Sequence, residues 1–501
     1  MNSFDWFAKW AIYNPFRIAF KEFETDREYS YSQFDRMGNY FAALIHHQHG
    51  FVKGDRLAVI SDNNMEYIVL FATAQKLGIT LVPLNYRLTP AELDFIISDA
   101  DVKGIVFEDK YYEKIRNLDS FKVIPFKMSV EELKHINDEN LKKKPAPMHV
   151  AVELHGDDPI FILYTSGTTA FPKGALYTHK MLFWNSINTE LRLDITSNDV
   201  SINCAPPFHT GGWNVLLTPF IHHGAYTLIM RGFDAELILE MLELERATIW
   251  WAVPTMLKMM ADSPAFAKAR LSRLRYLVVG GESLPIPVIE MWHRKGVLIR
   301  QGYGLTEVGP NVTSLDQKDA TRKKGSIGTM NFYYEAKLVN DKGLEVPAGE
   351  AGELLLKAPT VTPGYWKNAK ATAETIEDGW FHTGDLMKKD LEGYYYVLDR
   401  IKNMYISGGE NVYPAEVEHM IRQHPDVSEV AIIGVPDERW GEAGKAFVVV
   451  KRGEKLSREL LAAYCLERIA KYKIPKHFEF VDNLPKNDAG KVDRKRLREI
   501  H

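Results

Sequence analysis

The sequence predicts an α/β protein that ends in a smaller α+β unit. Short apolar runs alternate with helical patterns from Tyr31 to Glu108, and the rhythm returns near "DPIFILYTSG", "ERATIWWAVP" and "LRYLVVGGE". Such alternation is typical of parallel sheets covered by helices. After Lys357 the segments become short and rich in turns. The length of 501 residues, 46% of them hydrophobic, allows a large core and about two to four domains.

The first elements follow from periodicity and from helix boundary signals. "YSQFDRMGNYFAALIHHQHG" has apolar residues at helical spacing and ends at Gly50, and "NMEYIVLFATAQKLG" is a helix that ends at Gly78. "TPAELDFIISDAD" begins a helix with Thr-Pro. The apolar runs in "DRLAVISD", "ITLVPLN" and "KGIVFE" are short enough to be strands.

The last part of the chain has a different sequence pattern, with shorter segments and more turns. "TPGYW", "EDGWFHTGDL" and "LEGYYYVLDR" are turn-rich, and "VSEVAIIGVPDERWGEAGKAFVVVKRG" precedes a helix-rich end. We place a domain joint near residues 399–402, which predicts domains over 1–399 and 400–501.

Composition argues against several classes of protein. The net charge is −4 and the pI is near 6.5, so no overall basic field attracts nucleic acid. Cys204 and Cys465 stand in no metal or redox spacing, which favours a reducing cytoplasm. The N-terminus lacks the pattern of a signal peptide, and no apolar run reaches the roughly 18 residues of a transmembrane helix. The oligomeric state is left open, a homodimer included.

The stretch "YTSGTTAFPKG" (164–174) has the composition of a phosphate-binding loop. It is not a Walker loop, because Lys173 precedes Gly174 and Gly167 stands too far before it. Glycines let backbone N–H groups turn inward, and hydroxyls and a lysine add donors and charge. The alternative is a polar surface loop. The residues concerned are Thr165, Ser166, Gly167, Thr168, Thr169 and Lys173.

Five further segments occur in a fixed order. They are "GGESL" (280–284), "QGYGLTE" (301–307), "WFHTGDL" (380–386), "DRIKNMYISGGENVYPAEVE" (399–418) and "LPKNDAGKVDRKRL" (484–497). Taken singly, Tyr303 suits a core, Asp385 a turn and Lys491 an exposed surface. Together they resemble the adenylate-forming enzymes, which include acyl-CoA synthetases, aryl-acid ligases, luciferases and peptide-synthetase adenylation domains. The resemblance covers nearly the whole chain.

The resemblance implies a fold and a reaction. The fold is a large N-terminal domain of two αβ-layered subdomains and a β-barrel, with a small mobile C-terminal domain. A carboxylate attacks the α-phosphate of ATP to give an acyl-adenylate and pyrophosphate, and a thiol, usually that of CoA, then takes the acyl group and releases AMP. The first step brings an anion to a polyanion, so positive charge and in-line positioning are required.

The resemblance also implies a role for each motif residue. The 165–169 loop and Lys173 hold the β- and γ-phosphates, and Glu307 with Thr165 places Mg²⁺. Thr306 reaches the α-phosphate, and Lys491 bridges it to the attacking carboxylate. The remaining nucleotide-binding positions are Gly281, Glu282, Gln301, Gly302 and Tyr303 around the adenine, Asp385 and Arg400 at the ribose, and Lys402 and Asn411.

Two further implications concern the second step and the loop. Lys402 matches the hinge on which the C-terminal domain turns, and Gly408 and Gly409 line the pantetheine tunnel. Ala170 departs from the family, which usually has glycine there; a positive φ would cost alanine roughly 1 kcal/mol. We therefore expect altered nucleotide affinity rather than loss of function.

The acyl pocket is implied by "PPFHTGGWNVLLTPFIHHG" (206–224) together with Gly281 and Tyr303. His209 stands where the family often has a histidine beside the reacting carboxylate; a structural histidine is the alternative. Trp213 is a gate of the acyl tunnel or a core residue. His222 and His223 have no partnered metal ligands in the sequence and are interpreted as structural or exposed.

The leading hypothesis is an AMP-forming acyl-CoA synthetase for an apolar acid, a medium- or long-chain fatty acid first. The runner-up is an aromatic-acid or o-succinylbenzoate CoA ligase. A peptide-synthetase domain is disfavoured because "FHTGGWN" offers no aspartate for an amine, and a fatty-acyl-AMP ligase because no insertion is evident. No motif in the sequence distinguishes an acyl-CoA synthetase from an enzyme with luciferase-type oxygenation. A non-catalytic nucleotide-binding regulator is expected to lose Lys491, Glu307 or Asp385, and all three are present.

Overall fold

The computed structural model of the chain describes residues 3–143, 150, 152–165, 172–282, 284–407, 410–437, 439–487 and 490–500, with the backbone alone at Asn411. The chain divides into two compact units. The first comprises Met1–Ala336 and Leu356–Phe381, and the second comprises Lys337–Leu355 and His382–His501.

The helices of the first unit in the described residues are α1 (Trp6–Tyr13), α2 (Tyr31–His49), α3 (Met65–Leu77), α4 (Pro90–Ala100), α5 (Tyr112–Ile115), α6 (Asp119–Val123), α7 (Val130–Lys142), α8 (His179–Leu193), α9 (Thr210–Asn214), α10 (Leu217–His223), α11 (Ala235–Leu244), α12 (Pro254–Asp262), α13 (Pro264–Lys268), α14 (Ile286–Arg294) and α15 (Ala369–Thr375). Those of the second unit are α16 (Pro414–Ile421), α17 (Arg458–Leu466) and α18 (Arg494–Ile500). Single 3₁₀ turns span Asp109–Tyr111, Thr306–Val308, Gln317–Asp319, Ile401–Asn403 and Lys471–Lys473.

The first fifteen strands belong to the first unit: β1 (Ile18–Glu22), β2 (Arg27–Ser30), β3 (Arg56–Ile60), β4 (Thr80–Pro83), β5 (Gly104–Phe107), β6 (Phe126–Ser129), β7 (Pro159–Thr165), β8 (Lys173–Thr178), β9 (Val200–Asn203), β10 (Tyr226–Ile229), β11 (Ile249–Ala252), β12 (Tyr276–Val279), β13 (Ile299–Leu305), β14 (Gly309–Ser314) and β15 (Thr329–Met330). The later strands are β16 (Glu335–Val339), β17 (Ala351–Lys357), β18 (Ile376–Glu377), β19 (Trp380–Lys389), β20 (Tyr395–Arg400), β21 (Tyr405–Ser407), β22 (Glu410–Val412), β23 (Val427–Asp437), β24 (Gly441–Val450) and β25 (His477–Phe480).

The helix boundaries that the sequence predicts are confirmed. α2 and α3 end at Gly50 and Gly78, whose φ angles of 65° and 74° are in the left-handed region. α4 begins with Pro90 in its first turn and with a capping box, in which Thr89 and Glu92 each bond the other's backbone N–H.

Three sheets organise the first unit. Strands lie side by side in the order β6-β5-β3-β4-β7-β8, in β2-β1-β10-β9, and in β11-β12-β13-β14-β15. Neighbours from β6 to β7 are parallel, as are β11, β12 and β13, whereas β7–β8 and β13–β14 are antiparallel. The predicted α/β class is therefore confirmed, and each antiparallel pair adds a hairpin at the end of a parallel run.

The largest core cluster of the first unit is aromatic at its centre. Phe7 and Phe34 of the first two helices pack with their ring centroids 5.5 Å apart, and Phe71 and Phe161 stack at 5.8 Å. Trp213 belongs to the same cluster. This core therefore joins α1, α2 and α3 to strand β7, which precedes the predicted phosphate loop.

The second unit has its own sheet and core. β22, β21, β24 and β23 lie side by side, β25 pairs with β24 in parallel, and the long β23–β24 hairpin is antiparallel. Helices α16 and α17 contribute Val417, Ile421 and Leu461 to its buried cluster. This is the predicted α+β unit. Compactness does not report motion, so the joint near residues 399–402 stays a prediction.

Candidate active site

The predicted phosphate loop connects two antiparallel strands. Thr165, the last residue of β7, is paired with Lys173, the first of β8, and its hydroxyl donates to the Lys173 carbonyl at 3.4 Å. The hairpin is thus closed at its base. The loop residues Ser166, Gly167, Thr168, Thr169 and Ala170 lie outside the described residues.

Tyr365 links the base of this hairpin to Glu307. Its hydroxyl donates to Glu307 Oε1 at 3.0 Å, and Lys173 Nζ lies 5.5 Å from the centre of its ring. Such a cation near an aromatic face is attracted by the ring. Backbone bonds hold the arrangement on both sides, from Trp366 N to the Gly174 carbonyl at 2.7 Å and from Thr362 N to the Glu307 carbonyl at 2.7 Å.

The structure therefore brings Thr165, Lys173 and Glu307 into one neighbourhood. Tyr365 has no role predicted from the sequence, because "TPGYW" has the pattern of a turn. The motif that could have indicated a role for Tyr365 is "TPGYW" itself. Segment 362–366 passes between β8 and the Glu307 turn, and Ala175 and Tyr365 form a β-bridge.

Glu307 has the chemistry of a Mg²⁺ ligand. Within the described ranges no group of three or more His, Cys, Asp or Glu side chains could hold a metal ion. Mg²⁺ usually keeps several waters and is bound by one or two carboxylates plus substrate phosphates. One half-buried carboxylate, oriented by the Tyr365 hydroxyl and near the base of the predicted phosphate loop, fits that requirement.

The residues implied at the adenine lie at the ends of two adjacent parallel strands. Gly281 and Glu282 follow β12 and are exposed, and Gln301 of β13 pairs with Val279 of β12. Ligands of parallel sheets bind beyond the carboxyl ends of the strands. The buried Gln301 Oε1 has no hydrogen-bond partner among the described residues, so it is an acceptor without a donor.

The turn after β13 carries the next residues of the motif. Gly302 and Tyr303 are half-buried and pair with β14, and Thr306 begins the 3₁₀ turn that contains Glu307. At Gly304 a side chain is excluded, since a Cβ atom would lie 2.2 Å from the Pro310 carbonyl oxygen. The glycine therefore allows the hairpin to close tightly.

The predicted acyl segment separates into an accessible part and a buried part. His209 directly precedes α9, is half-buried, and has its ring 4.5 Å from that of Phe208. Trp213 is 2% exposed, and its indole N–H donates to the Pro207 carbonyl at 2.7 Å. The indole packs against the rings of Tyr67 and Phe71, at 5.2 and 5.4 Å. This packing favours the core interpretation of Trp213.

His222 and His223 have structural contacts. His222 stacks on Trp6 with centroids 4.2 Å apart, and its Nδ1 lies 2.9 Å from the Ser186 hydroxyl. Burial, and secondarily the charge of His223, lowers the pKa of His222 to about 3. The structural interpretation of this pair agrees with these contacts.

The second unit pairs the buried Asp385 with Arg400, whose side chain is 42% exposed. The Asp385 side chain is 4% exposed, and its Oδ1 lies 2.5 Å from Arg400 Nε, its partner across the β19–β20 pair. Lys402 is exposed in the Ile401–Asn403 turn. Gly408 and Gly409 lie outside the described residues, and the backbone of Asn411 pairs with Ile406.

Lys491 is exposed on a tight turn. Asn487 N donates to the Lys491 carbonyl at 2.7 Å, and Lys491 N donates to Asn487 Oδ1 at 3.0 Å. Gly490 has φ 78°, a left-handed conformation that favours glycine. The glycine before the lysine therefore has a conformational reason.

Comparisons with known proteins identify the family of the chain. The profile of the AMP-binding enzyme family matches residues 7–366, and that of the AMP-binding enzyme C-terminal domain matches 416–491. Feruloyl-CoA synthase from Amycolatopsis sp is 38% identical over 89% of this chain and 88% of its own length. Long-chain-fatty-acid–CoA ligase FadD13 from Mycobacterium tuberculosis is 36% identical over 100% of this chain and 98% of its own.

A solved structure extends the comparison. The o-succinylbenzoate coenzyme A synthetase (MenE) of Bacillus subtilis, in complex with ATP and magnesium ion, has a TM-score of 0.86 and 30% identity, and covers 99% of each chain. The chain belongs to the AMP-binding enzyme family, the adenylate-forming enzymes. It is an acid–thiol ligase, an AMP-forming acyl-CoA synthetase that uses ATP, Mg²⁺ and CoA. In the part of the chain that the structure describes, no helix has the length and apolar character to cross a membrane.

Proposed function

We propose that the enzyme converts an apolar monocarboxylic acid, in the first place a medium- or long-chain fatty acid, to its CoA thioester. The observation that supports the chemistry is the set of contacts among Lys173, Tyr365 and Glu307 at the base of the phosphate hairpin. The apolar character of segment 206–221 supports the choice of acid, since a buried unpaired charge costs several kcal/mol. A reducing cytoplasm suits the two buried free cysteines.

An aromatic acid is the second candidate. It is favoured by the 38% identity to feruloyl-CoA synthase, which exceeds the 36% to the fatty-acid ligase although it covers less of this chain. Both acids are apolar over most of their surface, so the same segment suits either. o-Succinylbenzoate carries a second carboxylate, and segment 206–221 contains no lysine or arginine to pair with it.

In the first half-reaction, Lys173, Thr165 and the hydroxyls of residues 166, 168 and 169 hold the phosphates of ATP. Glu307 and Thr165 hold Mg²⁺, which neutralises phosphate charge when bound. Tyr365 orients the Glu307 carboxylate. Lys491 bridges the attacking carboxylate and the α-phosphate, where negative charge accumulates in the transition state.

The nucleoside contacts are assigned residue by residue. Tyr303 with Gly281, Glu282, Gln301 and Gly302 surrounds the adenine, and Thr306 reaches the α-phosphate. The Asp385 carboxylate, which Arg400 already aligns, accepts hydrogen bonds from the ribose hydroxyls. Asn411 adds a contact to the nucleotide. The ion pair reduces the reorganisation that ribose binding requires.

In the second half-reaction, residues 400–501 turn as a mobile domain on the hinge at Lys402. Gly408 and Gly409 then line the path of the pantetheine thiol, where absent side chains leave room. His209 stands beside the reacting carboxyl group in both steps, and the acyl chain extends along segment 206–221.

The acid is identified by one experiment. CoA-dependent release of AMP is measured with fatty acids of increasing length, cinnamic and benzoic acids, succinylbenzoate and amino acids. We expect kcat/KM to rise with each methylene that enters the pocket, by about four-fold for 0.8 kcal/mol. A preference for succinylbenzoate or for an amino acid would refute the apolar-acid proposal.

The role of Lys491 is tested by separating the half-reactions. Lys491→Ala is expected to lower ATP–pyrophosphate exchange by a factor of about 100 or more, because a charge specific to that transition state is lost. Thioester formation from supplied acyl-adenylate should change far less. Near-normal exchange in the variant would contradict the assignment.

A further inference from the structure

A buried ion pair lies close to the turn that carries Lys491. Glu418, on α16, is 4% exposed at its side chain, and both its oxygens accept from Arg494 Nη2, at 2.6 and 2.9 Å. Ile432 N also donates to Glu418 Oε1, at 2.7 Å. Because a buried carboxylate requires such compensation, Arg494 is fixed where α18 begins.

Arg494 stands three residues after Lys491, and the chain between them leaves little freedom. Lys486 and Val492 form a β-bridge, and Asp493 N donates to the Pro485 carbonyl at 2.8 Å. The turn is therefore a closed unit, tied internally by Asn487. Among the contacts that attach this segment to the rest of the second unit are the Arg494–Glu418 pair and the buried Leu497 of α18, and the Lys486–Glu429 pair before the turn.

Helix α16 is itself held at its beginning. Asp399, which is buried, accepts from Ala415 N in the first turn of α16 at 2.6 Å. The other carboxylate oxygen of Asp399 accepts from Arg400 N at 2.6 Å and Asn403 Nδ2 at 3.1 Å. The same short helix thus contacts the segment around Lys402 through its first turn and Arg494 through Glu418, three residues after Ala415.

We propose that Arg494 and Glu418 are positioning residues that place the Lys491 ammonium group for adenylate formation. The inference rests on the proposed function of Lys491. Electrostatic stabilisation of a transition state requires a charge held within about 0.5 Å of its productive position by supporting contacts. Lys491 is exposed and its ammonium group ends a long, flexible side chain. A fixed backbone position of residue 491 therefore limits where that ammonium group can lie.

The experiment compares Arg494→Gln and Arg494→Lys with a matched control, Arg422→Gln. Arg422 also approaches Glu418, at 3.7 Å, but it is the residue that ends α16 and belongs to neither α18 nor the Lys491 turn. For each variant we measure pyrophosphate exchange, thioester formation from supplied acyl-adenylate, the KM for ATP and the melting temperature. Lys491→Ala is assayed alongside.

We expect Arg494→Gln to lower the kcat of exchange by about ten-fold or more, with the KM for ATP and the thioester step changed by less than about two-fold. Arg494→Lys, which retains the charge but loses the planar fork, should recover part of the rate. Arg422→Gln should leave both half-reactions unchanged. If Arg494→Gln yields no folded protein, Arg494→Lys and Glu418→Gln provide the comparison.

Three results would overturn the inference. Equal loss of both half-reactions in the Arg494 variants would show that the pair only stabilises the fold. Normal exchange in these variants, with exchange lost in Lys491→Ala, would show that Lys491 needs no such support while leaving the proposed function intact. Normal exchange in Lys491→Ala would instead remove the proposed function, and the inference with it.

Discussion

Replacing Trp213 by alanine distinguishes a core residue from a gate of the acyl tunnel. The indole is 2% exposed, and rings of Tyr67, Phe71 and Phe161 surround it at 5.2–5.4 Å. Its N–H satisfies the Pro207 carbonyl at 2.7 Å. A side chain packed on several sides in this way cannot swing without opening a cavity among the three rings.

The size of the expected effect follows from these contacts. Truncating a fully buried Trp to alanine costs about 3–5 kcal/mol in transfer and cavity terms. Loss of the indole donor leaves a buried carbonyl without its bond and adds about 1 kcal/mol. The total of about 4–6 kcal/mol is a large part of the about 5–15 kcal/mol that stabilises a typical domain. Trp213→Phe, which retains a ring, should lose less.

The assay is a melting curve and a chain-length series of acids on parent and variant. The matched control is Trp292→Ala, since Trp292 is also buried, donates to the Leu257 carbonyl at 3.2 Å and packs on Phe266 at 4.8 Å. Both variants should lose stability and keep the parent's order of preference. A Trp213→Ala enzyme with parental stability and a limit moved to longer acids would refute the core interpretation.

The remaining predictions concern the nucleotide site, the hinge and pH. Tyr365→Phe removes only the hydroxyl that orients Glu307, so pyrophosphate exchange should fall about ten-fold while the melting temperature barely changes. Asp385→Asn should weaken ATP binding, measured by calorimetry, without changing which acid is preferred. Lys402→Pro should allow adenylate formation and abolish thioester formation, because proline fixes φ near about −65°. Burial lowers the pKa of His179 to about 4, so stability is fully present above the unfolded value of about 6.5 and falls by about 2 kcal/mol between pH 7 and 5, as urea unfolding would measure.

Each of these has an outcome that contradicts it. Unchanged exchange in Tyr365→Phe would separate Glu307 from the first step, and a changed acid ranking in Asp385→Asn would place that carboxylate elsewhere. Equal loss of both half-reactions in Lys402→Pro, with the fold intact, would argue against a hinge. For His179, an identical pH slope in His179→Asn would assign the titration to other groups.

The sequence by itself determined the fold class, several helix boundaries and the family. These features depend on interactions between residues a few positions apart. The Thr89–Glu92 capping box and the left-handed Gly50 and Gly78 are stabilised within one helical turn, so the pattern of residues is enough to locate them. Parallel sheets followed in the same way from the alternation of strand and helix periods.

The tertiary structure alone decided which distant residues meet. Tyr365 reaches Glu307 across 58 positions of the chain, and Arg494 reaches Glu418 across 76. The sequence leaves Trp213 open as a gate or as core, and only the placement of Tyr67 and Phe161 around it favours the core interpretation. Local propensities carry no information on such pairs, because partners distant in sequence are selected by how the sheets and helices pack together. The motifs therefore indicate the type of chemistry from the sequence, whereas the contacts that position each functional group are found only in the tertiary structure.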